Sequence, residues 1–254
     1  MAQEFRIGGT RQRSDWGVVV DRLRATVGAV RDRAAVMTVS GVAFSADLSG
    51  ALYWGEERAL IVSDLHLEKG SSFAARGILL PPYDTAATLA RLAAVVAHYN
   101  PATVIALGDS FHDGEAHERV SKTDRDAIAA MQTGRDWIWI AGNHDPLPPR
   151  SLRGSVAEEI AIGPISFRHR PTGEAGEIAG HLHPKARVAT RARAIDRRCF
   201  ASDGARAVMP SFGAYTGGLS IRDRAFGKIF DALNFTAHVL GDASVHVIAA
   251  ARCY

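Results

Sequence analysis

Four short segments of this 254-residue chain, with one isolated histidine, gather side chains that bind metal ions or move protons. Asp64-Leu65-His66 closes the apolar run of residues 58–63, and alternation along a strand would project its carboxylate and imidazole to one face. Gly108-Asp109 closes a second run, 102–107, and Gly142-Asn143-His144-Asp145 a third, 136–141. Further on, Gly180-His181-Leu182-His183 repeats the two-residue spacing, and His169 stands between these groups. The set Asp64, His66, Asp109, Asn143, His169, His181 and His183 mixes oxygen and nitrogen donors without a thiolate, which suits Mn, Fe or Zn. These ligands exceed what one ion needs while keeping positions open for substrate. Two ions sharing one carboxylate is the economical arrangement.

Strand formers at 51–55 and 58–64 precede a helical pattern at 84–100, followed by strand patterns at 102–108 and 136–142. Strands alternating with helices predict an α/β domain whose helices cover the sheet, with ligands at the carboxyl ends of the strands. Pro81-Pro82 reads as a stop and Asp84 as the N-cap of the long helix. After Asp145 the pieces become short and β-rich (158–163, 165–170, 177–183, 186–194), predicting a second, more antiparallel sheet. It ends in a hairpin, 235–241 with 245–250, turned by Gly241-Asp242.

Composition narrows the class. Hydrophobic residues make up 47% of the chain, enough for a sizeable core, yet no apolar run approaches the roughly 20 residues of a membrane span. The start lacks the apolar segment of a signal peptide, so the expected location is cytoplasmic, with no membrane partner. Cys199 and Cys253 lie in no metal-type spacing and are expected as reduced thiols. Seven arginines against four acids within residues 1–36 account for the whole net charge of +3. This segment, with an amphipathic stretch at 18–30, reads as a basic N-terminal extension, disordered or helical, or as a mis-assigned start ahead of Met37. The catalytic domain is then residues 37–254.

Taken in order, DLH at 64–66, GD at 108–109, GNHD at 142–145, His169 and GHLH at 180–183 resemble the motifs of the calcineurin-like metallophosphoesterases. A narrower resemblance over 38–254, through GALYW, SDLHLEKGSSFAARG, LLPPYDT, GDSFHD and PSFGAYTGGL, is to the bacterial ligase-associated DNA damage response endonucleases. The resemblance implies a two-sheet β-sandwich flanked by helices, four layers in all. It implies two divalent ions, Mn first with Fe or Zn as alternatives. Asp64, His66 and His183 would hold one ion, and Asn143, His169 and His181 the other. Asp109 would bridge them, and His144 would bind the phosphate or protonate the leaving oxygen. The implied activity is phosphodiester hydrolysis by metal-bound hydroxide, in a nuclease linked to DNA repair, with DNA as substrate and a repair ligase or helicase as partner. Two other readings stay open: a phosphoesterase of small nucleotides or cyclic diesters, and a non-catalytic scaffold on the same fold. Retention of the whole ligand set and His144 disfavours the scaffold.

One departure stands out. Many relatives carry GDxxDR, whose second Asp orients the GNH histidine and whose Arg holds phosphate; here the segment is GDSFHD, with His112 and Asp113 at those places. Asp145 or Asp113 is then the candidate orienting partner, and His112 a donor to substrate phosphate. Arg168 and Arg170, flanking His169, are candidate phosphate holders. Lys185, Arg187, Arg191, Arg193, Arg197 and Arg198 form either a track for a nucleic-acid backbone or, as the simpler reading, a solvated face paired with acids. His98, His117, His238 and His246 have no partners by spacing and read as structural. Residues 210–218 form either a loop beside the metals or a buried turn.

Overall fold

Apolar residues at successive positions of the central strands require burial on both faces, and the chain meets that requirement with layers on either side. The computed structural model describes residues 34–78, 80–81, 83–145, 152–190 and 193–254. The amphipathic stretch at 18–30, the arginines of the N-terminal extension, Pro82 and Arg191 lie outside them. The first sheet runs in spatial order β1 (Ala35–Val39), β2 (Val42–Ala46), β3 (Leu52–Trp54), β4 (Ala59–Val62), β5 (Thr103–Leu107), β6 (Asp136–Ile140) and β7 (Ser155–Ala157). It is antiparallel from β1 to β4 and parallel from β4 to β7. The first strand thus begins at Ala35, ahead of Met37.

The second sheet comprises β8 (Glu159–Ile162), β9 (Ile165–Arg168), β10 (Glu177–Ala179), β11 (Lys185–Ala189), β12 (Ala194–Ser202), β13 (Ala207–Val208), β14 (Thr236–Leu240) and β15 (Val245–Ala249). Its order is β15-β14-β12-β13-β10-β9-β8, with β11 paired to β12. The anticipated hairpin is β14–β15. The sheet is mainly antiparallel, as expected, with β9, β10 and β13 running parallel. The parallel part matters for the site, since two of the singled-out turns then leave the sheet at one edge.

Alternation sorts the side chains. Leu60, Val62, Val104 and Ala106 face a layer of helices, where they pack with Leu89, Leu92 and Val96 of α2 (Asp84–Tyr99) and Ile128 and Met131 of α4 (Lys122–Gln132). Ile61, Ile105 and Leu107 face the second sheet and meet Phe167, Ile178 and Phe200. Two shorter helices, α1 (Lys69–Ala75) and α3 (Ala116–Arg119), complete the α-helices among the described residues. The outer face of the second sheet is covered by the irregular segment 219–235, through Ile221, Phe226, Phe230 and Phe235. Among the described residues no helix is long and apolar enough to cross a membrane.

Two local expectations change. Asp84 is not the N-cap of α2; Tyr83 is, and the Asp84 carboxylate instead accepts from Gly70 N at 2.9 Å, tying α1 to α2. Helix α4 is additional, and its signal was in the sequence: Ser121 caps it by accepting from the Asp124 amide at 3.1 Å.

Candidate metal centre

Every segment singled out by its chemistry follows a strand in the parallel part of a sheet. Asp64, Asp109 and Asn143-His144 follow β4, β5 and β6, while His169 and His181 follow β9 and β10. Parallel neighbours end at the same edge, so five turns empty into one space.

The expected strand alternation of Asp64 and His66 does not occur, because β4 ends at Val62. Both residues instead take left-handed backbone conformations, with φ of 53° and 43°, as do Asp109 at 44°, His181 at 70° and His183 at 47°. Positive φ is uncommon outside glycine and costs on the order of 1 kcal/mol or more per residue. The reward is that each turn bends sharply enough to aim its side chain inward. Backbone bonds hold the turns together: Asp64 N donates to Gly108 O at 3.3 Å, His66 N to Asp109 O at 2.9 Å and Leu67 N to Ser110 O at 2.9 Å. Gly180 is required by contact: a Cβ there would lie 1.9 Å from Ser63 Oγ and 2.6 Å from Asp64 Oδ2.

Two clusters result. Asp64, His66 and His183 place ligand atoms within 4.8 Å of one another, and so do Asp109, His169 and His181. In the second, His169 Nε2 stands 3.0 Å from Asn143 Oδ1, 3.2 Å from His181 Nδ1 and 3.3 Å from Asp109 Oδ2. The same Asp109 oxygen is 4.0 Å from His66 Nε2 and 4.0 Å from His144 Nε2, so its carboxylate lies between the clusters.

A site of this composition buried without a counter-ion should show unmet polar atoms, and it does. Asp64 Oδ1, His66 Nε2 and His183 Nε2 are buried without a hydrogen-bond partner, although the Asp64 and His183 atoms are 3.0 Å apart. Three orphaned donors aimed at one point fit a divalent cation far better than they fit a packed core.

The electrostatics agree. Burial alone would raise the Asp64 pKa, but His183 and His169 outweigh it and hold the carboxyl below its ordinary value. For Asp109 burial is again outweighed, first by His169 and then by the His144 amide and His66. His66 is pushed down to about 3, chiefly by burial, so it sits as a neutral imidazole, the form that binds metals. Outer contacts fix orientation: His169 Nδ1 donates to the Leu107 carbonyl at 3.0 Å, which aims Nε2 at the cluster; burial alone would lower the His169 pKa, but Asp109 and Asp64 outweigh it and raise it. Ser63 Oγ and the His181 amide both donate to Asp64 Oδ2.

His144 lies at the exposed rim. Its amide donates to Asp109 Oδ1 at 2.8 Å, its Nδ1 meets the His112 carbonyl at 3.0 Å, and its ring stacks on that of His112 with centroids 5.5 Å apart. Neither expected carboxylate orients it. Asp113 is engaged by Arg119 at 2.6 Å, and Asp145 accepts from the Phe111 amide at 2.9 Å. The backbone oxygen of His112 takes the place of the missing carboxylate, while the His112 ring stands with Nδ1 3.4 Å from His66 Nδ1.

The arginines sort differently from expectation. Arg168 is held by Glu159 at 2.7 Å and Glu177 at 3.6 Å and is spent on them. Exposed Arg170 adds, after burial and His169, to the causes that lower the His181 pKa. In the basic hairpin β11–β12, Arg197 pairs with Asp242 at 2.7 Å, Arg187 faces Asp196 at 3.7 Å, and Arg198 donates to Ser211 O at 2.7 Å. Of this segment's described residues, Arg187 and Arg197 thus face acids, as the simpler reading has it, and Arg198 caps a carbonyl. His238 is buried, as expected of a structural histidine. Residues 210–213 do form a loop against the site, bonded to Ser63 and Asp64. Ser63 and Arg91, which contact that region, carried no recognisable sequence signal.

A family model described as calcineurin-like phosphoesterase matches residues 57–193. No curated protein matches the chain. Among solved structures, the Pseudomonas putida nuclease MPE is similar at 27% identity and a TM-score of 0.65, covering 85% of this chain and 100% of that one. A phosphoesterase from E. coli, Yfce, aligns at 12% identity over 75% of this chain and 98% of its own, with a TM-score of 0.38.

Proposed function

Because this chain belongs to the calcineurin-like phosphoesterase family, we propose that it is a two-metal phosphodiesterase acting on nucleic acid. The observation that carries the reading is the pair of His/Asp clusters meeting at the Asp109 carboxylate. Asp64, His66 and His183 would hold one ion, Asn143, His169 and His181 the other, with Asp109 between them. A pair of divalent ions there, Mn first by the family resemblance, would acidify a water and place positive charge opposite the phosphoryl oxygens.

The chain's own groups do the rest. The His144 amide fixes one oxygen of Asp109, leaving the other for the cluster side. The His144 ring donates through Nδ1 to the His112 carbonyl, so Nε2, at the exposed rim, is the atom that exchanges a proton with the departing oxygen. Stacking on His112 limits rotation of that ring. Arg170, exposed beside His181, supplies charge for a substrate phosphate in place of the family arginine that GDSFHD lacks.

DNA is the preferred substrate. Similarity to a nuclease along the whole of that nuclease's chain supports it, as does the motif resemblance to the ligase-associated DNA damage response endonucleases. A role in DNA repair beside a ligase or helicase rests on that resemblance. The test is Mn-dependent cleavage of bis-p-nitrophenyl phosphate alongside single-stranded and duplex DNA, comparing wild type with Asp109→Ala and His144→Ala. Cleavage of both substrate types, lost with Asp109→Ala, is the expected result. Cleavage of the small diester with all DNA and RNA intact would move the substrate to small nucleotides, and no cleavage at all would leave the scaffold reading.

A further inference from the structure

Two arginines without acidic partners converge on a single loop beside the first cluster. Arg91, on α2, donates through Nη2 to Phe212 O and lays its guanidinium 4.5 Å from the centre of the Phe212 ring. Arg198, on β12, donates through Nη1 to Ser211 O at 2.7 Å. Both side chains are half-buried, and neither meets a carboxylate among the described residues. They are also close enough that the charge of Arg198, after burial, helps depress the Arg91 pKa to about 9. Two partly desolvated like charges side by side oppose folding unless something is gained by their being there.

What they grip is the strap that carries the metal-site backbone. Along the loop, Met209 N donates to Ala179 O at 2.7 Å, Phe212 N to Ser63 O at 2.7 Å, Gly213 N to Asp64 O at 3.0 Å and Ala214 N to Thr88 Oγ1 at 2.9 Å. Its N–H groups thus reach the turn bearing Asp64 and the strand end preceding His181. The carbonyls of Ser211 and Phe212 are the ones the two guanidiniums take. Asp64 gains from such support, because its left-handed backbone, φ 53°, carries some strain even for Asp, one of the residues that tolerate it best.

We infer that Arg91 and Arg198 are positioning residues: by fixing loop 210–213 from behind they hold the Asp64 turn, and through it the geometry of the Asp64–His66–His183 metal site. The inference rests on the reading of that cluster as a metal site. Arginine suits the task because a guanidinium binds a carbonyl with a directed N–H, keeps its charge when partly buried and stacks on an aromatic ring at once. Methionine would fill the space and do none of these.

The test is calorimetric titration of metal-stripped protein with Mn, together with thermal unfolding, for wild type, Arg91→Met, Arg198→Met, the double variant and Arg91→Lys. Arg222→Met, which removes a guanidinium bonded to Cys253 O at 2.8 Å away from this loop, is the matched control. One of the two Mn sites is expected to weaken about 10- to 100-fold in each single variant, the range typical of outer contacts to metal ligands, with the other site near wild type. The double variant should weaken it by less than the product of the two, because both grips act on one loop, and Arg91→Lys should recover part of the loss. Wild-type Mn affinity in both single variants would overturn the inference, and so would equal weakening of both sites or the same loss in Arg222→Met. Wild type failing to bind two Mn ions would instead refute the underlying metal assignment.

Discussion

Gly142→Ala is the smallest change that should separate the catalytic geometry from the fold. A Cβ at Gly142 would lie 2.1 Å from Asp109 N, 2.3 Å from Asp109 Oδ1 and 2.5 Å from Asp145 Oδ1, where ordinary contact begins at 3.4 Å. The nearest atom is backbone, so no side chain can swing away, and the turns after β5 and β6 must part by roughly 1 Å. Misplacement on that scale costs about 100-fold in rate when the moved group belongs to the reacting constellation. Overpacking of this kind typically costs about 1–3 kcal/mol, a fall in melting temperature of roughly 2–12 °C for a domain of this size. The assay is kcat on bis-p-nitrophenyl phosphate with saturating Mn at 25 °C, where the destabilised protein is still folded. Gly227→Ala is the control, since a Cβ there meets nothing within 4 Å. A Gly142→Ala enzyme within threefold of wild type would show that Asp109 tolerates displacement, and its place at the junction of the clusters would lose its mechanistic meaning.

Two further outcomes are expected. His144→Ala should lower kcat on DNA by about 10²–10⁴-fold, the usual span for a lost general acid, but lower it much less on a p-nitrophenyl ester, whose leaving group needs no proton; equal losses on both would remove the proton-donor role. Stripping metal with a chelator should lower the melting temperature, and Mn at 100 times its dissociation constant should restore about 2.7 kcal/mol per site; no shift with Mn, or a full shift in Asp64→Asn, would contradict the assigned cluster.

The residues that cluster in the candidate site were legible because their types are chemically conspicuous and most of their segments follow an apolar run. The α/β character and the inter-sheet core followed from the same runs, with Ile61 and Ile105 facing one way and Leu60 and Val104 the other. What periodicity could not convey is backbone handedness: Asp64 and His66 look like alternating strand positions, yet they converge through turns of positive φ. Long-range pairing was equally hidden. Nothing local marks Asp242 as the partner of Arg197, or Glu159 and Glu177 as those of Arg168, so cations that looked available for phosphate were already committed. The parallel run of β9 and β10 escaped notice because strands of three or four residues carry no directional signature.

The left-handed turns have a consequence for anyone reshaping this protein. Five positions, Asp64, His66, Asp109, His181 and His183, take a backbone conformation that carries strain for any residue but glycine, though Asp and His tolerate it better than most. A redesign that optimises each position for its own conformation would place glycine or asparagine there and relieve part of that strain. The product would melt later, keep both sheets and every apolar contact between them, and have no chemistry left. A score of local compatibility alone would mark these positions for replacement, although they carry the chemistry.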